Sequence, residues 1–133
     1  MKYELSYDLS RDLIKGRAEG EIEPSLVKTI ASEQADIVKT SGYRKLLNDL
    51  RSAQITLSTF DIYNMPRIVD EQGVPLTCKR ALLVSKASTD LDFLETVSVN
   101  VWQFVRIFSE MDEALEWLNE SEASASKQDD GFL

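Results

Sequence analysis

Tyr43 to Glu71 reads YRKLLNDLRSAQITLSTFDIYNMPRIVDE, and the fold turns on how this stretch is divided. Lys45–Leu50 is leucine-rich and free of Gly and Pro, which predicts a short buried strand. Arg51–Leu57 is polar to mixed and reads as a connection. Ser58 then opens an apolar-periodic segment, with Phe60, Ile62, Tyr63, Met65, Ile68 and Val69 on one broad helical face. Ser58 with Asp61 three residues on is a relative of the Ser-x-x-Glu capping box. Pro66 falls inside this pattern and should kink the helix or split it after Asn64. A strand feeding a helix in mid-chain predicts a parallel sheet covered by helices. In such sheets ligand and partner surfaces lie at the carboxyl ends of the strands, which directs attention to Asp49–Ser58.

Towards the N-terminus, Lys2–Asp8 alternates with Tyr3, Leu5 and Tyr7 on one side, the pattern of a half-buried strand. After a turn at Leu9–Arg11, Asp12–Gly20 reads as the return strand of a hairpin, with Gly16 and Gly20 marking a bulge and the strand's end. A helix starts at Glu23–Pro24, where proline's missing N–H costs nothing. Leu26, Val27, Ile30, Ala31, Gln34, Ile37 and Val38 form its stripe, and Gly42 closes it. Towards the C-terminus, Gly73 and Pro75 end the central unit. Arg80–Ser85 (RALLVS) has the continuous apolar character of a central parallel strand. Thr89–Val101 reads as a helix through Leu91, Leu94, Val97 and Val101. Phe104–Phe108 (FVRIF) alternates and is the last strand. Ser109 is expected to cap a final helix, with Asp112 in its first turn and Trp117 as a flanking aromatic. The expected whole is an α/β domain over residues 1–120, with a mostly parallel five-stranded sheet, an antiparallel N-terminal hairpin and four helices. Residues 121–133, rich in Ser, Ala and Asp, read as a disordered acidic tail.

The 133 residues suit one compact domain. The formal charge is −8; one Lys and three acids in the last thirteen residues carry −2 of it, leaving −6 on the rest. That sign disfavours nucleic acid and anionic membrane as partners, since both need a basic footprint. The absence of histidine removes the commonest general base and the commonest metal ligand. A single cysteine, Cys78, makes no internal disulfide and no cysteine-based zinc site, and reads as a packed small residue. No apolar run has the length of a signal peptide or a bilayer span, so a cytoplasmic protein is expected.

With Leu46-Leu47-Asn48-Asp49-Leu50 as the central strand and Phe104–Leu118 as the closing strand and helix, ending D-E-A-L-x-W-L, the chain resembles the STAS domain. This is the fold of bacterial anti-sigma-factor antagonists, and of STAS-like proteins grouped with CRAL-TRIO lipid-binding domains. The resemblance covers roughly residues 2–120. It implies a non-catalytic, cytoplasmic interaction module with a protein partner and no cofactor. In antagonists of the phospho-switch type the central strand ends in Asp-Ser-Ser/Thr-Gly, and the serine is phosphorylated. Here Asp49 is followed by Leu50-Arg51-Ser52-Ala53-Gln54, without the Asp-Ser pair or the glycine. The carry-over therefore stops at Asp49, with Ser52 or Ser58 left to occupy similar space.

Two sites follow as expectations. Asp49, Arg51, Ser52, Ser58 and Thr59, joined by Ser85, Lys86 and Ser109, make a strand-end surface for a protein partner or a small anion, helix N-termini being suited to anions; plain capping explains the same hydroxyls. Phe60, Tyr63 and Met65 line a groove under the Pro66 helix for a small apolar ligand or lipid, as the CRAL-TRIO likeness implies; core packing explains the same residues. Trp102 and Trp117, if part-exposed, suit a homodimer contact. Asp12, Asp49, Asp61, Asp90 and Asp92 have no spacing that supports acid–base catalysis or a metal site.

Overall fold

The structure is a computed structural model and describes residues 2–8, 12–85 and 103–120. The chain opens with β1 (Lys2–Asp8) and β2 (Leu13–Ile22), followed by α1 (Pro24–Ser41), β3 (Lys45–Ile55) and α2 (Thr59–Glu71). Then come β4 (Lys79–Leu83), β5 (Phe104–Phe108) and α3 (Met111–Asn119). The strands form one sheet in the order β1-β2-β3-β4-β5. β1 runs antiparallel to β2, and every later pairing is parallel. The sheet is thus the mixed five-stranded one expected. Three helices lie among the described residues; the helix expected over Thr89–Val101 falls outside them, as do Trp102 and the tail at 121–133.

The sheet separates two apolar layers. Leu46, on β3, packs with Ala31, Ala35 and Val38 of α1 and Val69 of α2. Its neighbour Leu47 points the other way and joins Ala114, Trp117 and Leu118 of α3. Period-two alternation in one strand therefore feeds both cores. Trp117 is 9 % exposed and packs 5.8 Å from Phe108. It belongs to the core rather than to a partly exposed flank, because α3 has only this face to bury.

Most boundaries follow local chemistry. Pro24 stands in the first turn of α1, and Gly42 ends it with φ 77°, a left-handed conformation that costs glycine nothing. Four expectations need correction. β2 does not end at Gly20 but runs on to Ile22, and its register shifts between Arg17 and Glu19, not at Gly16. β3 does not stop at Leu50 but runs on to Ile55, so Arg51–Ile55 is strand rather than connection. α2 is not split after Asn64: it continues through Pro66 as one helix. The ring removes a single donor, and Gln103 Nε2 donates to Pro66 O at 2.7 Å. Ser109 does not cap α3; Glu110 holds that position, with no side-chain cap bond.

Candidate functional site

β3 carries the expected strand-end residues, and its register explains where they go. Arg17 on β2 pairs with Asp49, whereas Glu19 pairs with Ser52. Two residues of β3, Leu50 and Arg51, thus stand against Ala18 alone, which is a β-bulge. The bulge has a local cause. Asp49 Oδ1 accepts the backbone N–H of Arg51 at 3.1 Å, and the Arg51 side chain folds back on the same carboxylate, Nε to Oδ1 at 3.0 Å and Nη2 to Oδ2 at 2.8 Å. The hydrogen bonds from Arg51 hold the Asp49 carboxyl below the usual range, against a smaller opposing effect of burial. The same bonds raise the Arg51 guanidinium.

Asp49 faces the α3 side of the sheet, beside Arg17, Lys15 and Met111, and Arg51 folds onto it there. Leu50 and Ala53 pack on the opposite side. Ser52 is exposed in mid-strand. None of the three reaches the strand's carboxyl end, and the donors of Arg51 that would greet an anion are largely committed to Asp49. The expected site therefore divides: Asp49, Arg51 and Ser52 lie on the sheet face, and Ser58 and Thr59 at the entrance to α2.

At that entrance Ser58 is the N-cap. Its hydroxyl accepts from Asp61 N at 3.1 Å, and Asp61 Oδ2 accepts from Ser58 N at 3.0 Å, a complete capping box with Asp in place of Glu. Phe60 and Tyr63, three residues apart and so on one helix surface, are 74 % and 60 % exposed. A shallow groove beside them runs from Pro24 and Val27 of α1 past Leu57 to Asn64 and Arg67 of α2. Ser85 is exposed and Ser109 half-buried, both away from this entrance in sequence; Lys86 lies outside the described residues.

Met65 shares that groove with Phe60, and Tyr63 does not line it. Met65 also turns inward and lines a cavity of about 60 Å³ between the sheet and the two helices. That volume holds a small molecule and not an acyl chain, so a lipid does not fit it as built. The cavity wall is apolar except for Gln34, Asn48 and Arg80. Gln34 Nε2 donates to Asn48 Oδ1 at 2.6 Å and to the Tyr3 hydroxyl at 3.0 Å. Burial pushes the Tyr3 hydroxyl's pKa upward, against a smaller lowering by Gln34. Gln34, the one polar member of the α1 stripe, is the centre of a buried network. Sequence reasoning missed Arg80, whose only sequence signal is a charge set at the head of an apolar strand.

Among the described residues no group of three or more His, Cys, Asp or Glu is placed to hold a metal. None of their helices is long and apolar enough to cross a membrane. Burial raises the Cys78 thiol, which makes it a poor nucleophile.

No family model matches the chain, and no curated protein does. Solved structures do. An anti-sigma factor antagonist from Mycobacterium paratuberculosis superposes with a TM-score of 0.57 at 11 % identity, covering 90 % of this chain and 96 % of that one. The protein TM1081 gives 0.52 at 18 % identity, covering 86 % and 88 %. These likenesses, with the strand order above, make the fold STAS-like.

Proposed function

We propose that this STAS-like chain is a non-catalytic protein-interaction module of cytoplasmic regulation, and that it meets its partner at the entrance to α2. One observation carries the reading. Phe60 and Tyr63 stand 74 % and 60 % exposed on one surface of a helix whose start is fixed by a complete capping box. Aromatic side chains are enriched at interface hot spots, and a rigid helical turn presents them at little cost in conformational entropy. The groove continues that surface with the apolar Val27, Leu57 and Met65, and Asp61 and Arg67 also line it. The antagonist likeness favours a partner that is itself a regulatory protein. Ser58 supports a module without a phosphoserine switch, since its hydroxyl and the N–H groups it would offer a phosphate are shared with the Asp61 carboxylate.

The test is affinity capture from an extract of the protein's own host, comparing the wild-type chain with F60S/Y63S and quantifying retained proteins by mass spectrometry. Loss of an aromatic hot spot costs about 2 kcal/mol or more, or roughly thirtyfold in affinity. A retained protein that falls by at least about tenfold with the double variant, while the melting temperature stays put, supports the reading. A partner held equally by both chains, or none retained by either, overturns it.

A further inference from the structure

Arg80 is a charge without a counter-charge among the described residues. It is 6 % exposed, and it lines the cavity beneath α2. Among the described residues its hydrogen bond is from Nη1 to Gln103 Oε1, 2.8 Å, and Gln103 is neutral. The ion pairs of Arg17 with Glu19, Arg51 with Asp49 and Arg67 with Glu71 do not include Arg80. Burial lowers the guanidinium to about 10, which leaves it charged at neutral pH. A buried charge that meets only neutral groups is costly unless something of opposite sign joins it.

The cavity itself says what kind of group that is. Asn48 also lines it, and its Nδ2 donor has no partner among the described residues. The guanidinium and the amide together offer donors to an acceptor-rich head. Apart from Gln34, whose amide is taken up by Asn48 and Tyr3, the rest of the wall, including Met65 and Leu82, is apolar and suits an alkyl end. The volume of about 60 Å³ lies well below the roughly 150 Å³ that takes a benzene ring, so the occupant has only a few heavy atoms. A planar carboxylate matches the fork of a guanidinium, which a spherical ion does not.

We propose that this cavity binds a short-chain monocarboxylate of acetate to propionate size, with its carboxylate on Arg80 and its alkyl end against Met65 and Leu82. The cavity shares Val27, Leu57 and Met65 with the groove beside Phe60, but neither Phe60 nor Tyr63 lines it, so F60S/Y63S is expected to leave it intact.

Thermal melts of the full chain in sodium propionate, sodium chloride and propionamide, at matched ionic strength, provide the test. Propionate is expected to raise the melting temperature saturably, with chloride and propionamide without effect. Equal melting in all three overturns the proposal, as does a rise in chloride matching that in propionate. Arg80→Met keeps the bulk and removes the charge, and it is expected to abolish the propionate response; a response that survives overturns the assignment to Arg80. A readout on the unaltered protein covers the case in which R80M does not fold. An isotope-filtered NOE from ¹³C-methyl propionate to the Met65 methyl is expected, and its absence at saturating propionate overturns the proposal.

Discussion

Gly16→Ala probes the buried network directly. Gly16 lies in β2 with φ outside the left-handed region, so its backbone accepts any residue. Space is the obstacle. An added Cβ would stand 2.6 Å from Asn48 Oδ1, 2.7 Å from Tyr3 Oη and 3.1 Å from Tyr3 Cε1. Those oxygens are the ones Gln34 bonds, so they cannot retreat without leaving a buried amide unsatisfied. Overpacking of this kind costs about 1–3 kcal/mol. A broken buried hydrogen bond adds about 1 kcal/mol. Restricting the unfolded chain returns roughly 0.4–1 kcal/mol. The balance is a loss of about 2 kcal/mol, or about 8 °C in melting temperature for a domain of this size. Urea unfolding at constant m-value measures it. The same substitution in a Tyr3→Phe/Asn48→Ala background should cost under about 1 kcal/mol, because the two nearest oxygens are gone. A wild-type cost below about 0.5 kcal/mol, or an equal cost in both backgrounds, would refute the steric argument.

Three further outcomes are expected. Ser58→Ala should destabilise by about 1 kcal/mol, and its effect should be strongly non-additive with Asp61→Ala in a double-mutant cycle, since the two residues cap each other. Asp49→Asn should cost less than about 1 kcal/mol, because Arg51 is half exposed. The folded pKa of Asp49 is depressed, first by the Arg51 hydrogen bond, so its stabilisation is fully present above the unfolded value of about 4 and is lost as pH falls through the lower folded value. The wild-type advantage over D49N should hold from pH 8 to 5 and shrink below about pH 4; an advantage that grows in acid contradicts the pairing. Lys79→Met should loosen the end of α3 by about 1 kcal/mol, because Lys79 Nζ donates to Trp117 O at 2.6 Å and lies 4.7 Å from the centre of its ring. Hydrogen exchange at Leu118 and Asn119 reads that loosening, and unchanged protection counts against it.

The order of the described strands and helices, the hairpin, the Gly42 stop and the Ser58–Asp61 start were legible because each rests on local periodicity or capping. The extent of β3 was not. Its last five residues, Arg51–Ile55, lose their alternation at the bulge, and the bulge depends on an Asp49–Arg51 contact that no propensity records. Pro66 misled for a related reason: a helix held on one side by Met65 and Val69 in the core loses one bond at proline and keeps its packing. Of the site residues, Met65 lines both the cavity and the groove, whereas Phe60 and Tyr63 share its helical pattern yet are largely exposed. An apolar stripe does not say how wide its buried part is. Arg80 stood in plain sight, but only the third dimension removes it from water and leaves it beside Asn48.

The extra residue in β3 also has a meaning for how this chain tolerates change in length. Leu50 and Ala53 both face α1 and α2, separated by Arg51 and Ser52, which both face the other side of the sheet. Excising Arg51 alone would leave Leu50, Ser52, Ala53, Gln54 and Ile55 in strict alternation, with Leu50 opposite Ala18 and Ser52 still opposite Glu19. Every apolar side chain would keep its side of the sheet. β3 thus holds one residue of slack, a place where the chain can shorten without any strand slipping. What would vanish with that residue is only the clasp on Asp49, whose carboxylate would then be left to Arg17 across the ladder.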